Sequence, residues 1–267
     1  MFALALLLRL ARVQVRSQMQ YRTSFALSLA GNFAFTALDF ATIVLLFGDI
    51  SRLGGWTVNQ VALLYAVSSL SYALCELTLG SLDQLPTMVR DGSFDTLLLR
   101  PGPTFVHLLA TDFLLRRAGR LLQAVVVLVV VTARYPATLW TAERVLVLLS
   151  SVVGGAVIMG SLWIVAASAS FWANGADGLV SVFSAGTSFL VQYPLDVYTA
   201  WLRSFVLFVV PLGFVSYLPV SWVLDKPDAA GLPTAVRLAT PLVAAVTAGA
   251  AALVWRISVR HYRSPGG

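Results

Sequence analysis

Two acids interrupt what would otherwise be unbroken apolar sequence, Asp39 and Glu76. An ionisable group at membrane depth either lines a polar pathway or holds helices together, so both are candidates for chemistry. Asn32 and Thr36 precede Asp39 by seven and three residues, which puts the three on one face of a helix. That face suits a pathway or an interhelical hydrogen bond equally. Glu76 lies near the end of its apolar run, within reach of pairing with Arg116 or Arg120. Other chemistries lack their residues: there is no Gly-x-Ser-x-Gly elbow, no His-Glu-x-x-His pair and no second cysteine beside Cys75. The two histidines, His107 and His261, stand near expected span ends. The only lysine, Lys226, precedes Pro227 and has no glycine-rich loop before it, so no P-loop exists to hold a nucleotide. The expectation is a chain that is not an enzyme by itself and binds no metal or cofactor of its own.

The elements that must position these acids are membrane helices. Of all residues 58% are hydrophobic and only 11% charged, with mean hydropathy +0.84, against roughly 25% charged in an ordinary soluble domain. The net charge of +6 does not point to nucleic acid, because the basic residues flank apolar runs instead of clustering with aromatics on a wet face. Apolar runs at 24–47, 61–79, 145–172, 201–224 and 232–255 are long enough to cross a bilayer. A shorter one, 121–131, follows Arg116, Arg117 and Arg120 and needs its neighbours to complete a crossing. Pro211 and Pro219 are expected to break the run at 201–224. The segment 178–191 is short and ends at Tyr193-Pro194, which suits an interfacial or re-entrant helix. Gly154, Gly155 and Gly160 in the fourth run allow close helix approach. Trp56, Trp140, Trp201 and Trp222 read as interface anchors. Residues 1–22 place Arg9, Arg12, Arg16 and Gln20 on one stripe opposite Leu4, Leu8 and Val15, an amphipathic helix suited to the headgroup layer.

One segment cannot lie in lipid. Between residues 80 and 103 stand Asp83, Arg90, Asp91, Asp95 and Arg100, with Pro86, Pro101 and Pro103. Leu82, Leu85 and Val89 share a helical face, Gly92 can close that helix, and a second short piece can run from Phe94 to Leu99 before Pro101 stops it. With both termini on the cytoplasmic side, 13 of the 18 basic residues fall inside, and Arg52, Arg134, Arg144, Lys226 and Arg237 fall outside. This positive-inside asymmetry puts 80–103 in the cytoplasm and calls for an even number of crossings.

The ordered features, Gln20-Tyr21-Arg22, Leu53-Gly54-Gly55-Trp56, Leu82-Asp83-Gln84-Leu85-Pro86, Arg90-Asp91-Gly92-Ser93-Phe94-Asp95, Leu97-Leu98-Leu99-Arg100-Pro101 and Val259-Arg260-His261-Tyr262, resemble the ABC-2 type permeases, in particular their compact six-span bacterial branch. The resemblance implies an all-α integral membrane fold of the type V exporter kind: an N-terminal interfacial elbow helix at 1–22, then a six-span transmembrane domain at 23–267. It implies a coupling helix at 82–92 that docks on a separate ABC ATPase, with ATP and Mg²⁺ held there and not here. The coupling candidates are then Leu82, Asp83, Leu85, Pro86, Val89, Arg90, Asp91 and Gly92, joined by Phe94, Asp95 and Arg100. Two ATPase copies and a second permease, the same or a related chain, would complete an exporter in the bacterial cytoplasmic membrane, surrounded by lipid. Its cargo is not legible. An ion-coupled secondary transporter using Asp39 and Glu76, or a membrane scaffold without transport, are the competing readings.

Overall fold

Gly54 and Gly55 reverse the chain with φ of +55° and +83°, a pair of left-handed residues that any side chain would make costly by about 1–2 kcal/mol each. Leu53 and Trp56 exchange both backbone hydrogen bonds across this turn at 2.9 Å. In the computed structural model the described residues are 52–111, 117–172, 177–227 and 230–264, with scattered helical positions between 23 and 45. The amphipathic helix expected at 1–22 and the triad Asn32, Thr36 and Asp39 lie outside them.

Immediately after the turn, Gln60 Oε1 accepts from the Thr57 amide at 3.1 Å and α1 (Val58–Leu79) begins. This helix is the centre of the bundle, with residues 61–67 buried without interruption. A 3₁₀ turn (Gly80–Gln84) leads into α2 (Leu85–Asp91) and α3 (Asp95–Leu98), then α4 (Thr104–Thr111) and α5 (Ala118–Thr132). At 15 residues α5 spans only about 22 Å. It is too short to cross alone, as its sequence suggested.

Next comes α6 (Ala142–Ser168), capped by Thr141, whose hydroxyl accepts from the Arg144 amide. It packs against α1 on one side and α11 (Thr240–His261) on the other. The small residues make that possible. A Cβ on Gly154 would come within 2.7 Å of Thr240, and one on Gly155 within 2.8 Å of Ser71 and Val215. Exposed Leu242, Val246, Leu253 and Ile257 form an outward apolar stripe on α11, the face a helix turns to lipid. Among the described residues no strand occurs, and α6, α11 and the helix beginning at Val58 are long and apolar enough to cross a membrane.

The structure reverses two expectations about the region 178–224. The helix α7 (Asp177–Leu190) touches the Gly80–Gln84 turn at one end of the bundle, and just beyond its other end Asp196 accepts from Trp56 Nε1 at 2.7 Å. It therefore passes from one end to the other. The following pieces, α8 (Ala200–Ser204) with the π turn Phe205–Val209, and Leu212–Val223, which contains α9 (Tyr217–Val223), meet at a 78° bend. They finish at Lys226, whose Nζ donates to the Gly55 carbonyl at 3.0 Å and to Gln60 Oε1 at 3.2 Å. Both ends of the stretch return to one turn, so it is a re-entrant hairpin and not a crossing. Pro211 supplies the reversal because it cannot donate to the ladder. Pro219, in contrast, sits in the first turn of α9, where no amide partner is needed, and breaks nothing. Arg203 moves with the hairpin to the Trp56 end, where its guanidinium donates to the carbonyls of Leu195 and Tyr198.

In a Cys75→Ala background, Val197→Cys and Pro227→Cys are expected to react with an impermeant maleimide from the same face of sealed membranes, and Thr87→Cys from the opposite face. Labelling of position 197 from the side of position 87 would restore a crossing at 200–224.

The final helix also starts later than the apolar run at 232–255 suggests. Pro233 opens a separate turn, α10 (Thr234–Arg237), and α11 begins only at Thr240 with a proline in its first turn. It then continues through Arg256 and Arg260, since arginine is a good helix former whose long stem lets its charge reach water from beside lipid.

Candidate functional site

Pro86 in the first turn of α2 and Gly92 after its last turn frame the segment that sequence placed in water. Gly92 has φ +77°, a left-handed stop, and the amide of Phe94 reaches back to the Met88 carbonyl at 3.1 Å. The Ser93 amide donates to Asp91 Oδ1 at 2.9 Å. With the Ser93 hydroxyl, it holds the Asp91 carboxyl below its usual pKa and so charged at neutral pH.

The coupling candidates separate into an anchor and a surface. Leu82, Leu85, Pro86 and Phe94 are buried, Val89, Gly92 and Asp95 are half-buried, and Asp83, Arg90, Asp91 and Arg100 are exposed. Of the exposed set, Asp83 also accepts from Trp163 Nε1 at 3.2 Å, which ties the 3₁₀ turn to α6. Asp95 accepts from Ser264 Oγ at 2.6 Å, which ties α3 to the C-terminal tail. His107 Nε2 donates to the Pro101 carbonyl at 3.1 Å, closing the segment against α4.

Phe94, a coupling candidate at the start of the second short piece, belongs to the anchor and not to the surface. It stands between charged residues yet is fully buried. Its ring lies 5.2 Å from Phe171 and 5.0 Å from Tyr262, both edge-on. Trp255 continues the cluster against Phe171 at 5.8 Å, and Phe105 meets Trp255 at 5.0 Å. Edge-to-face contacts at such spacing favour one arrangement over many. The amphipathic pieces are therefore fixed to the ends of α4, α6 and α11. The faint signal was that Phe94, Phe171 and Tyr262 each sit where a helix has just ended or is about to begin. Leu99 is the opposite case, 86% exposed in a run of three leucines of which only Leu97 is buried.

Above this segment Arg117 Nη2 donates to the Gly80 carbonyl at 3.1 Å, and its guanidinium covers Gly80 so closely that a Cβ there would lie 2.5 Å from it. Glu76 pairs with Arg120, one of the two partners its position allowed, while Arg120 also lies over the Tyr72 ring at 5.2 Å. Arg116, the other, is outside the described residues. Arg120 also borders a cavity of about 200 Å³ between α1, α5 and α7, lined by polar Tyr65, Ser68, Ser69, Gln123 and Ser188 among others. Polar side chains facing one void in a membrane bundle give solutes or water a place to sit.

At the opposite end Trp56 is not an interface anchor but a buried keystone, 1% exposed. Besides its bond to Asp196, Lys226 Nζ lies 4.9 Å over its ring and Tyr217 packs on it. Trp201, 70% exposed on the re-entrant hairpin, fits the anchor expectation. Among the described residues no group of His, Cys, Asp and Glu is placed to hold a metal ion.

Residues 33–266 match the model of a family described as ABC-2 family transporter protein. Comparison with curated proteins and with solved structures gave no match.

Proposed function

The chain belongs to the ABC-2 transporter family, and from that membership we propose that it is the permease subunit of a bacterial ATP-driven exporter, working with a separate ABC ATPase in two copies. A second permease, the same or a related chain, completes the membrane core. The 80–103 segment faces the cytoplasm together with both termini, in the cytoplasmic membrane. ATP and Mg²⁺ belong to the ATPase.

The observation that carries this reading is the division of labour within 80–103. Exposed Arg90, Asp91 and Arg100 form a charged surface, and buried Phe94 fastens that surface to the ends of α6 and α11. A loop that only stays wet needs no such mount. A lever does, because a push on its surface reaches the helices only through a stiff attachment. The polar cavity beside Arg120 gives the moving helices something to open and close around.

Reversing both charges, Arg90→Glu with Asp91→Arg, is expected to lower retention of the co-expressed ATPase at least tenfold, about 1.4 kcal/mol, with insertion unchanged. Desolvated charge pairs at an interface are worth at least that much. Retention equal to that of the unaltered chain would remove this surface as the docking site.

A further inference from the structure

Between α1, α4, α6 and α11, at the end of the bundle that holds the 80–103 segment, lies a second cavity of about 280 Å³, open to the outside of the bundle. Its walls are apolar, formed by Leu79, Phe105, Val157 and Ile164. The hydroxyl of Ser161, which also borders it, is spent on the Val157 carbonyl at 2.6 Å. One charge stands at the rim, Arg256, exposed and without an ion pair or hydrogen bond to any described residue.

The order of residues along α11 gives this groove a direction. Ala248, Ala252 and Arg256 line it at i, i+4 and i+8, a strip about 12 Å long parallel to the helix axis. Its apolar part points toward the middle of the bundle and its guanidinium toward the end. A phospholipid in a bilayer has this polarity. An apolar void stays dry, and at this depth the material at hand to fill it is an acyl chain. A guanidinium matches a phosphate oxygen pair better than it matches any other part of a lipid. In a zwitterionic headgroup that phosphate is already compensated by its own cation.

We propose that this groove binds one anionic phospholipid of the leaflet adjoining the 80–103 segment, its acyl chain along Ala248 and Ala252 and its phosphate on Arg256. That leaflet is the inner one under the orientation proposed above; the binding itself does not depend on transport. The wall formed by Phe105 and Trp255 is shared with the aromatic cluster that holds Phe94, so an occupied groove braces the mount of the coupling surface.

The test uses the purified full-length chain in mixed micelles with phosphatidylglycerol or phosphatidylcholine, read by native mass spectrometry and by thermal unfolding. The unaltered chain is expected to retain one phosphatidylglycerol in about tenfold preference, the scale of one hydrogen bond to a charged group, and to unfold at higher temperature with it. Arg256→Gln should lose the preference while keeping lipid of either kind. Ala252→Phe, at an exposed position that tolerates bulk, should fill the groove and lose both. Equal retention of the two lipids by the unaltered chain, or retention by Ala252→Phe matching the unaltered chain, overturns the proposal. So does a chain dimer that dissociates on Ala252→Phe with lipid retention unchanged, since the groove would then hold a second copy. Either result leaves ATPase docking at Arg90 and Asp91 untouched, so the two readings fail separately.

Discussion

Replacing Phe94 by alanine is expected to abolish coupled transport while leaving the ATPase bound. The substitution removes a fully buried ring and its edge contacts with Phe171 and Tyr262. Emptying such a site costs about 3–5 kcal/mol when the surroundings cannot collapse, and here two of its neighbours are ends of long helices already fixed by their own packing. The exposed charges of Arg90, Asp91 and Arg100 survive the change, so docking persists, but their mount is loosened. The signature is retention of the ATPase at its ordinary level with loss of cargo movement, the reverse of what charge reversal at Arg90 and Asp91 should do. Phe94→Leu should fall between, since it refills part of the volume without the edge contacts. Leu99→Ala, at a side chain 86% exposed, serves as the neutral control. A Phe94→Ala chain with unaltered stability and unaltered transport would show that the cluster carries no load.

Phe94 was legible as part of the coupling segment but not as its buried anchor, because a sequence holds only some facts locally. Helix ends are local events. Gly92 as the stop after α2 and Pro86 at its start both follow from a few neighbouring residues, and the structure agrees with each. Close packing at Gly154, Gly155 and Gly160 was legible for the same reason, because the absence of a side chain is itself the signal. The aromatic cluster joins residues 94, 105, 171, 255 and 262, and nothing in the spacing of phenylalanines reports on partners so far away in the chain. The re-entrant hairpin failed for a related reason. Hydropathy sees that 201–224 is apolar enough to cross, but whether it does is decided by where its ends are fastened, and Trp56 fastens both through Asp196 and Lys226. The shorter α7 runs from the Gly80–Gln84 turn to the other end of the bundle because the residues beyond it extend its reach to that same tryptophan. The face bearing Asn32, Thr36 and Asp39 lies outside the described residues.

The Glu76–Arg120 pair gives the second large effect. The two side chains are 19% and 26% exposed, at the end of α1 that adjoins the wet segment, with Arg120 beside the polar cavity. Removing one partner strands the other charge where water is scarce, and breaking such a pair costs about 3 kcal/mol or more. Glu76→Gln alone, or Arg120→Met alone, is therefore expected to unfold at markedly lower temperature and to accumulate poorly in the membrane. Combining the two removes both charges and should recover most of the loss, because the stranded charge, not the missing attraction, was the main cost. Arg120 also covers Tyr72, and a methionine keeps an apolar stem on that ring, so packing there largely survives. Transport should return together with stability in the double variant, which assigns the pair to holding α1 against α5. A double variant as stable as the unaltered chain but unable to move cargo would overturn that assignment and place the two charges in the translocation pathway itself.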